Sequence, residues 1–236
     1  MKILFLSDTH KLHRKLKNLP EADLLIHGGD VSQTGADHEV EDFIRWFSGL
    51  NYKHKIFIAG NHDFYLEELS VERIRKMLPE NTHYLCNSGI TIEGINIWGS
   101  PITPTHHNWA FNRDRGAAIR KYWKMIPQNT DILITHGPPS GILDNVQQKE
   151  SVGCRDLYNA VRKINPRVDE IRLPIRKNGF IPPIESLPVA KYYFISPIFS
   201  EHPDEDNANI DYCVQQIMQN PSWRLSLQIH KMIGIR

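Results

Sequence analysis

The apolar residues of this chain are bunched into strand-length runs, and each early run breaks on a polar cluster. Lys2–Leu6 gives way to Ser7-Asp8-Thr9-His10, and Asp23–His27 to Gly28-Gly29-Asp30. Lys55–Ala59 ends at Gly60-Asn61-His62-Asp63, and Asp131–Ile134 at Thr135-His136-Gly137-Pro138-Pro139. Between these runs the spacing predicts helices over Asp37–Ser48, Val71–Leu78, Gly116–Met125 and Cys154–Ile164, the last with Leu157, Val161 and Ile164 at helical intervals. Ile90–Ile92 and Ile95–Trp98 read as a hairpin through Glu93-Gly94. Strands alternating with helices predict an α/β layered fold. Ligands of such folds gather beyond the carboxyl ends of the strands, which is where every polar cluster falls.

The pattern changes near Pro166. Residues 1–167 are expected to form one domain, and 168–189, rich in proline and alternating charge, a linker. The basic residues of Arg172–Lys177 are then a solvated loop. Beyond it, Lys191–Phe199 and Trp223–Ile229 read as strands flanking a helix over Asp204–Gln219. Residues 190–236 are therefore expected to be a β-α-β unit whose strands run parallel.

Composition narrows the class. A chain of 236 residues with 40% hydrophobic and 23% charged residues supports a substantial core and is neither disordered nor fibrous. A net charge of +1 argues against general nucleic-acid binding. The apolar runs are too short to span a membrane, and the chain opens on a strand pattern rather than a secretory signal. Three widely spaced cysteines, Cys86, Cys154 and Cys213, exclude a disulfide scaffold and a CxxC metal site, and suit the reducing cytoplasm.

The chemistry lies in the strand-end clusters. Asp8, His10, Asp30, Asn61 and His136 offer oxygen and imidazole donors, a set suited to Mn, Fe, Zn or Mg rather than a soft metal. One carboxylate can bridge two cations about 3.5–4 Å apart, the spacing used in two-metal phosphoryl chemistry. His62, next to Asn61, could stay free of metal and deliver a proton.

These strings resemble the successive signatures of calcineurin-like metallophosphoesterases. Gly99-Ser100-Pro101, Ala110-Phe111-Asn112-Arg113 and Val152-Gly153-Cys154-Arg155-Asp156-Leu157 are similar to one branch, the metallophosphoesterase-domain-containing proteins related to class III cyclic nucleotide phosphodiesterases. The resemblance covers about residues 1–167. It implies a two-sheet sandwich flanked by helices and a dinuclear centre that hydrolyses phosphate esters, with a small phosphoester or nucleotide as substrate. By the same resemblance Asp8 and His10 hold one cation, Asp30 bridges, Asn61 and His136 hold the other, and His62 is the general acid. A metal-bound hydroxide would attack phosphorus, and Asp63 would orient His62.

The chain also departs from that pattern. The family carries a Gly-His-x-His ligand motif soon after the helix ending at Ile164, whereas here no histidine follows His136 until His202. The family's closing strands are missing too, so an incomplete sandwich with impaired activity is expected. The tail, notably Pro221-Ser222-Trp223-Arg224-Leu225-Ser226-Leu227-Gln228-Ile229-His230-Lys231, is similar to the end of 7-carboxy-7-deazaguanine synthases but lacks their three-cysteine cluster. Two functions compete: a metal-dependent phosphoesterase, and a catalytically weak pseudoenzyme that binds nucleotide or phosphate. His27 reads as a core histidine or a support for its neighbours, His106 and His107 as surface loop, and Cys154 as buried. Asn112 and Arg113 read equally as phosphate contacts or as solvated caps.

Overall fold

The computed structural model describes residues 1–142, 144–146, 150–164, 168–187, 190–198 and 203–226. They fall into two units, Met1–Ile164 and Asn165–Arg236. The first unit opens with β1 (Ile3–Leu6), β2 (Leu24–His27), α1 (Asp37–Gly49) and β3 (His54–Phe57). After α2 (Phe64–Glu68) and α3 (Val71–Lys76) comes β4 (Thr82–Tyr84), and the strands form a parallel sheet in the order β1-β2-β3-β4. Ser70 starts α3 by accepting the Arg73 N–H, the usual work of a serine cap.

The second sheet grows from the expected hairpin. β5 (Ser88–Ile92) and β6 (Ile95–Ser100) pair antiparallel, and the turn residues Glu93 and Gly94 both take positive φ, as a tight hairpin requires. The short strands β7 (Thr103–Pro104) and β8 (Asn112–Arg113) pair with each other. After α4 (Ala117–Trp123), β9 (Ile132–Thr135) joins β6 in parallel. A small antiparallel pair, β10 (Asn145–Val146) and β11 (Glu150–Ser151), precedes α5 (Arg155–Ile164).

Alternation along the strands sorts residues into layers. Leu24, Ile26 and Ile56 of the first sheet share one buried cluster with Ile92, Ile97 and Ile134 of the second, so the sheets face each other there. The opposite face of the first sheet meets α1, where Phe57 packs edge-on against Phe43 and Phe47. Each such buried side chain contributes about 1.5–3 kcal/mol, enough to hold a helix that has no side-chain cap. Trp98, Ile119, Trp123, Leu157 and Ile164 lie in that helix-facing cluster as well, which brings in β6, α4 and α5. This is the two-sheet sandwich flanked by helices. It is unequal: in parallel register Ile3 and Phe5 share the face of Leu24 and Ile26, yet they stay 40% and 57% exposed. The second sheet does not reach over β1.

The second unit corrects one expectation. Residues 168–189 were expected to be an irregular linker, but Val168–Ile175 is a full strand, β12. It pairs in parallel with β13 (Ala190–Pro197), which pairs in parallel with β14 (Trp223–Leu225). Proline and charge hid the alternation of Leu173 and Ile175, both buried. β12 is an edge strand, the position in a sheet that tolerates Pro174. Arg172 therefore belongs to a strand, not to a loop. Between β13 and β14 runs α6 (Pro203–Gln219), opened by proline and acidic residues that suit a helix start. Leu173, Ile175, Ile195, Cys213 and Trp223 form this unit's own core. No helix among the described residues is long and apolar enough to cross a membrane.

Candidate metal centre

The polar clusters lie where β1, β2, β3 and β9 end. Their backbone is unusual before any side chain is considered. Asp8, His10 and Asp30 have φ of 53°, 40° and 54°, the left-handed region that non-glycine residues avoid. Strain of this kind costs about 1–3 kcal/mol per residue and persists only where the surroundings enforce it. Here the first loop keeps bonding to the second beyond the strands: Asp8 N–H donates to Gly29 O, His10 N–H to Asp30 O and Lys11 N–H to Val31 O, each at 3.0 Å. Gly60 is required for room, because a Cβ there would collide with Asp30 Oδ1 and the His136 ring.

Asp30 is the centre of the arrangement. It is buried, its Oδ1 accepts the His62 N–H at 2.9 Å, and its two oxygens each face an imidazole. Oδ1 lies 3.4 Å from His136 Nε2, and Oδ2 lies 3.6 Å from His10 Nε2. Asn61 Oδ1 is 2.9 Å from the same His136 nitrogen. Three histidines are oriented alike. The Nδ1–H of His136 donates to Gly28 O at 3.0 Å, that of His10 to Ser32 O at 3.3 Å and that of His62 to Gln33 O at 2.9 Å. A carbonyl can only accept, so Nε2 is the nitrogen left for a cation or a proton.

Without a cation, a proton takes that place on His136. Burial opposes charge on the ring, but the hydrogen bond and charge of Asp30 outweigh it, helped by Gly28 O and Asp8, and raise the pKa to about 9. Burial likewise pushes Asp30 up, yet His136 and the His62 N–H hold its carboxyl below the usual range. Fully buried His27 goes the other way: burial, then the neighbouring histidine charges, lower its pKa to about 3, and it is neutral.

The structure brings the residues expected at the site together in two overlapping groups. Ligand atoms of Asp8, Asp30 and His136 lie within 4.8 Å of one another, as do those of His10, Asp30 and His62. Asp30 belongs to both groups. Asp8 shares its group with His136, and His10 shares its group with His62. Asp63 does not orient the His62 ring. Its carboxylate accepts from Gly60 N, Val31 N, Ser32 N and Ser32 Oγ at 2.6–3.2 Å, tying the second loop to the third. Burial pushes its pKa up against those donors. His202 and His230 lie outside the described residues.

Next to Asp8, Asn61 and His136 opens a cavity of about 370 Å³, walled by Trp109, His106 and Arg115. The Trp109 ring sits 4.2 Å from that of His62. Sequence reading passed over Trp109, whose one signal was an aromatic residue inside a histidine-rich loop. Asn112 lines the cavity, and both Asn112 and Arg113 hold hydrogen bonds within the protein. Asn112 Nδ2 donates to His106 O and His107 O, and Arg113 donates to Glu67 and Tyr122. Arg115 is also engaged, donating to Gly153 O and Val152 O.

Carboxylate, amide oxygen and imidazole converging on one buried Asp30 fit divalent cations of the hard or borderline kind. The family model described as calcineurin-like phosphoesterase matches residues 1–169. The chain is similar to metallophosphoesterase domain-containing protein 1 of Homo sapiens and of Mus musculus, at 40% identity over 185 residues, 69% of this chain and 56% of each of those proteins. It is 34% identical over 180 residues to a UPF0046 protein of Caenorhabditis elegans, covering 70% of this chain and 60% of that one. The chain thus spans little more than half the length of these relatives. Every residue of the centre lies inside the matched segment.

Proposed function

The chain belongs to the calcineurin-like phosphoesterase family, and from that premise we propose that its strand-end centre hydrolyses a small phosphate ester or nucleotide with the help of two divalent cations. The observation that carries this reading is the sharing of Asp30 between two ligand groups, each completed by imidazoles whose Nδ1–H is already committed to a carbonyl. Asp30 would be shared, Asp8, Asn61 and His136 would hold one cation and His10 would help to hold the other. Bound there, the cations would lower the pKa of water and offset charge on the phosphoryl oxygens. His62 holds the proton for the leaving oxygen at Nε2, since Gln33 O occupies Nδ1–H. Trp109 offers an aromatic wall to whatever the ester carries, and the cavity suits a small substrate rather than a polymer. The cytoplasm is the compartment proposed, on the cysteine pattern.

A second reading is supported by the sequence lacking any histidine from residue 137 to 201, where the family's last ligands would stand. A pseudoenzyme would keep the phosphate or nucleotide pocket and lose turnover. One assay separates the two: hydrolysis of an aryl phosphodiester by the full chain with added Mn²⁺, compared with Asp30→Asn. Turnover that the substitution removes supports the enzyme. Binding of the ester without turnover supports the pseudoenzyme.

A further inference from the structure

A fourth histidine at the centre is wired in reverse. His27, the last residue of β2, is fully buried, with its ring 4.8 Å from that of Phe43 and 6.3 Å from that of Phe47. Gly29 N lies 3.3 Å from His27 Nδ1. An amide N–H can only donate, so Nδ1 is the bare acceptor and Nε2 carries the hydrogen. That hydrogen goes to Thr9 Oγ1, 3.1 Å away. Both ring nitrogens are thereby used, and neither is open to a cation. Thr9 stands between Asp8 and His10, and Gly29 stands next to Asp30; all three of those neighbours hold left-handed backbone. The backbone bonds between the two loops run on one side of this strained stretch, from Asp8 N to Gly29 O and from His10 N to Asp30 O. The imidazole adds a link from the side chain of the first loop to the amide of the second.

We propose that His27 is a positioning residue of the metal centre: a neutral imidazole that ties Thr9 to Gly29 and holds the Asp8–His10 loop and Asp30 at the separation cation binding needs. The inference rests on the metal-binding reading above. A phenyl ring at this position would keep the packing on Phe43 and Phe47 but make neither hydrogen bond. Thr9→Val removes the other end of the link without touching the core, and Thr9→Ser restores it.

The test is Mn²⁺ calorimetry on the full chain, together with melting temperatures measured with and without Mn²⁺. Supports behind metal ligands typically contribute about 10–100-fold in metal affinity. His27→Phe should weaken Mn²⁺ binding by that factor. Thr9→Val should weaken it less and Thr9→Ser should match the parent. In Thr9→Val the metal-free melting temperature should fall a little, because the buried His27 Nε2–H loses its acceptor, and the further rise on adding Mn²⁺ should shrink as well, a second change that a purely structural role would not produce. Should His27→Phe fail to fold, the two Thr9 variants decide the matter. Equal Mn²⁺ affinity in Thr9→Val, Thr9→Ser and the parent overturns the positioning role while leaving the metal centre standing. Absence of Mn²⁺ binding by the parent overturns the metal centre, and the positioning role with it.

Discussion

The two units build parallel strands joined through helices, yet they spend the carboxyl ends of those strands differently. In the second unit β12 runs out into Arg176-Lys177-Asn178-Gly179, and the loose ends are gathered by Asn209 of α6. This buried amide accepts the Lys177 N–H and donates to Ile198 O, so it satisfies backbone groups. Among the described residues of that unit the one positive φ of a non-glycine residue is that of Asn178, in a turn. In the first unit the same topological position carries Asp8, His10 and Asp30, all in left-handed backbone, with three imidazoles turned by carbonyls. Parallel strand ends therefore offer a place for chemistry, while residue type and enforced strain supply it.

Four measurements would break or sharpen this contrast. The largest effect is expected at Asp30. Asp30→Ala should abolish the Mn²⁺ binding seen by calorimetry and, with it, phosphodiester hydrolysis beyond the ~100-fold loss typical of a supporting residue. Asp204→Ala, at an exposed acid opening α6, should change neither. If both variants titrate like the parent, the assignment of chemistry to the first unit is wrong.

His62→Ala should come next. Esters with poor leaving groups should slow by about 10²–10⁴-fold, whereas nitrophenyl esters, whose anions leave unaided, should slow far less. Equal losses on both would make His62 a binder of the phosphate and not its proton donor.

A smaller change is expected in the second unit. Asn209→Ala strands the Lys177 N–H and the Ile198 carbonyl, at a cost of about 1–3 kcal/mol by chemical denaturation. Mn²⁺ affinity should not move. A joint loss of stability and metal affinity would overturn the contrast between the strand ends of the two units.

The mildest effect concerns pH. His136 has its folded pKa raised to about 9 from 6.5, so its contribution to the metal-free protein is full below about 6.5 and is lost as pH climbs through 9. The metal-free melting temperature should fall over that window, and less in His136→Gln. Mn²⁺ competes with the same proton and should bind more tightly as pH rises through it. A flat apparent affinity between pH 6.5 and 9 would place the cation away from His136 Nε2.

The strand-end clusters were readable because each combines a short apolar run with donors that have no place in a core. Asp8, His10, Asp30, Asn61, His62 and His136 could be listed from order alone, and the matched family segment covers them all. Their grouping could not. Only the folded chain brings Asp8 to His136 of another sheet and His10 to His62. Asp63 shows the same limit: beside His62 in sequence, it serves the amides of the neighbouring loop. β12 was missed because Pro174 and its charged neighbours mask an alternation that becomes visible only when β13 lies beside it.

Local pattern was enough for the strands, the helices and the identity of the donors, since periodicity and residue chemistry are properties of short segments. Distance was decided by the folded chain. Whether Asp30 serves one cation or two depends on His10 and His136 approaching its opposite oxygens, and they do so from β1 and β9, 126 residues apart in number. The direction of each imidazole was settled there as well. Which nitrogen meets a carbonyl and which meets an amide N–H separates His10, His62 and His136 from His27, and that difference exists only where strands from two sheets end together.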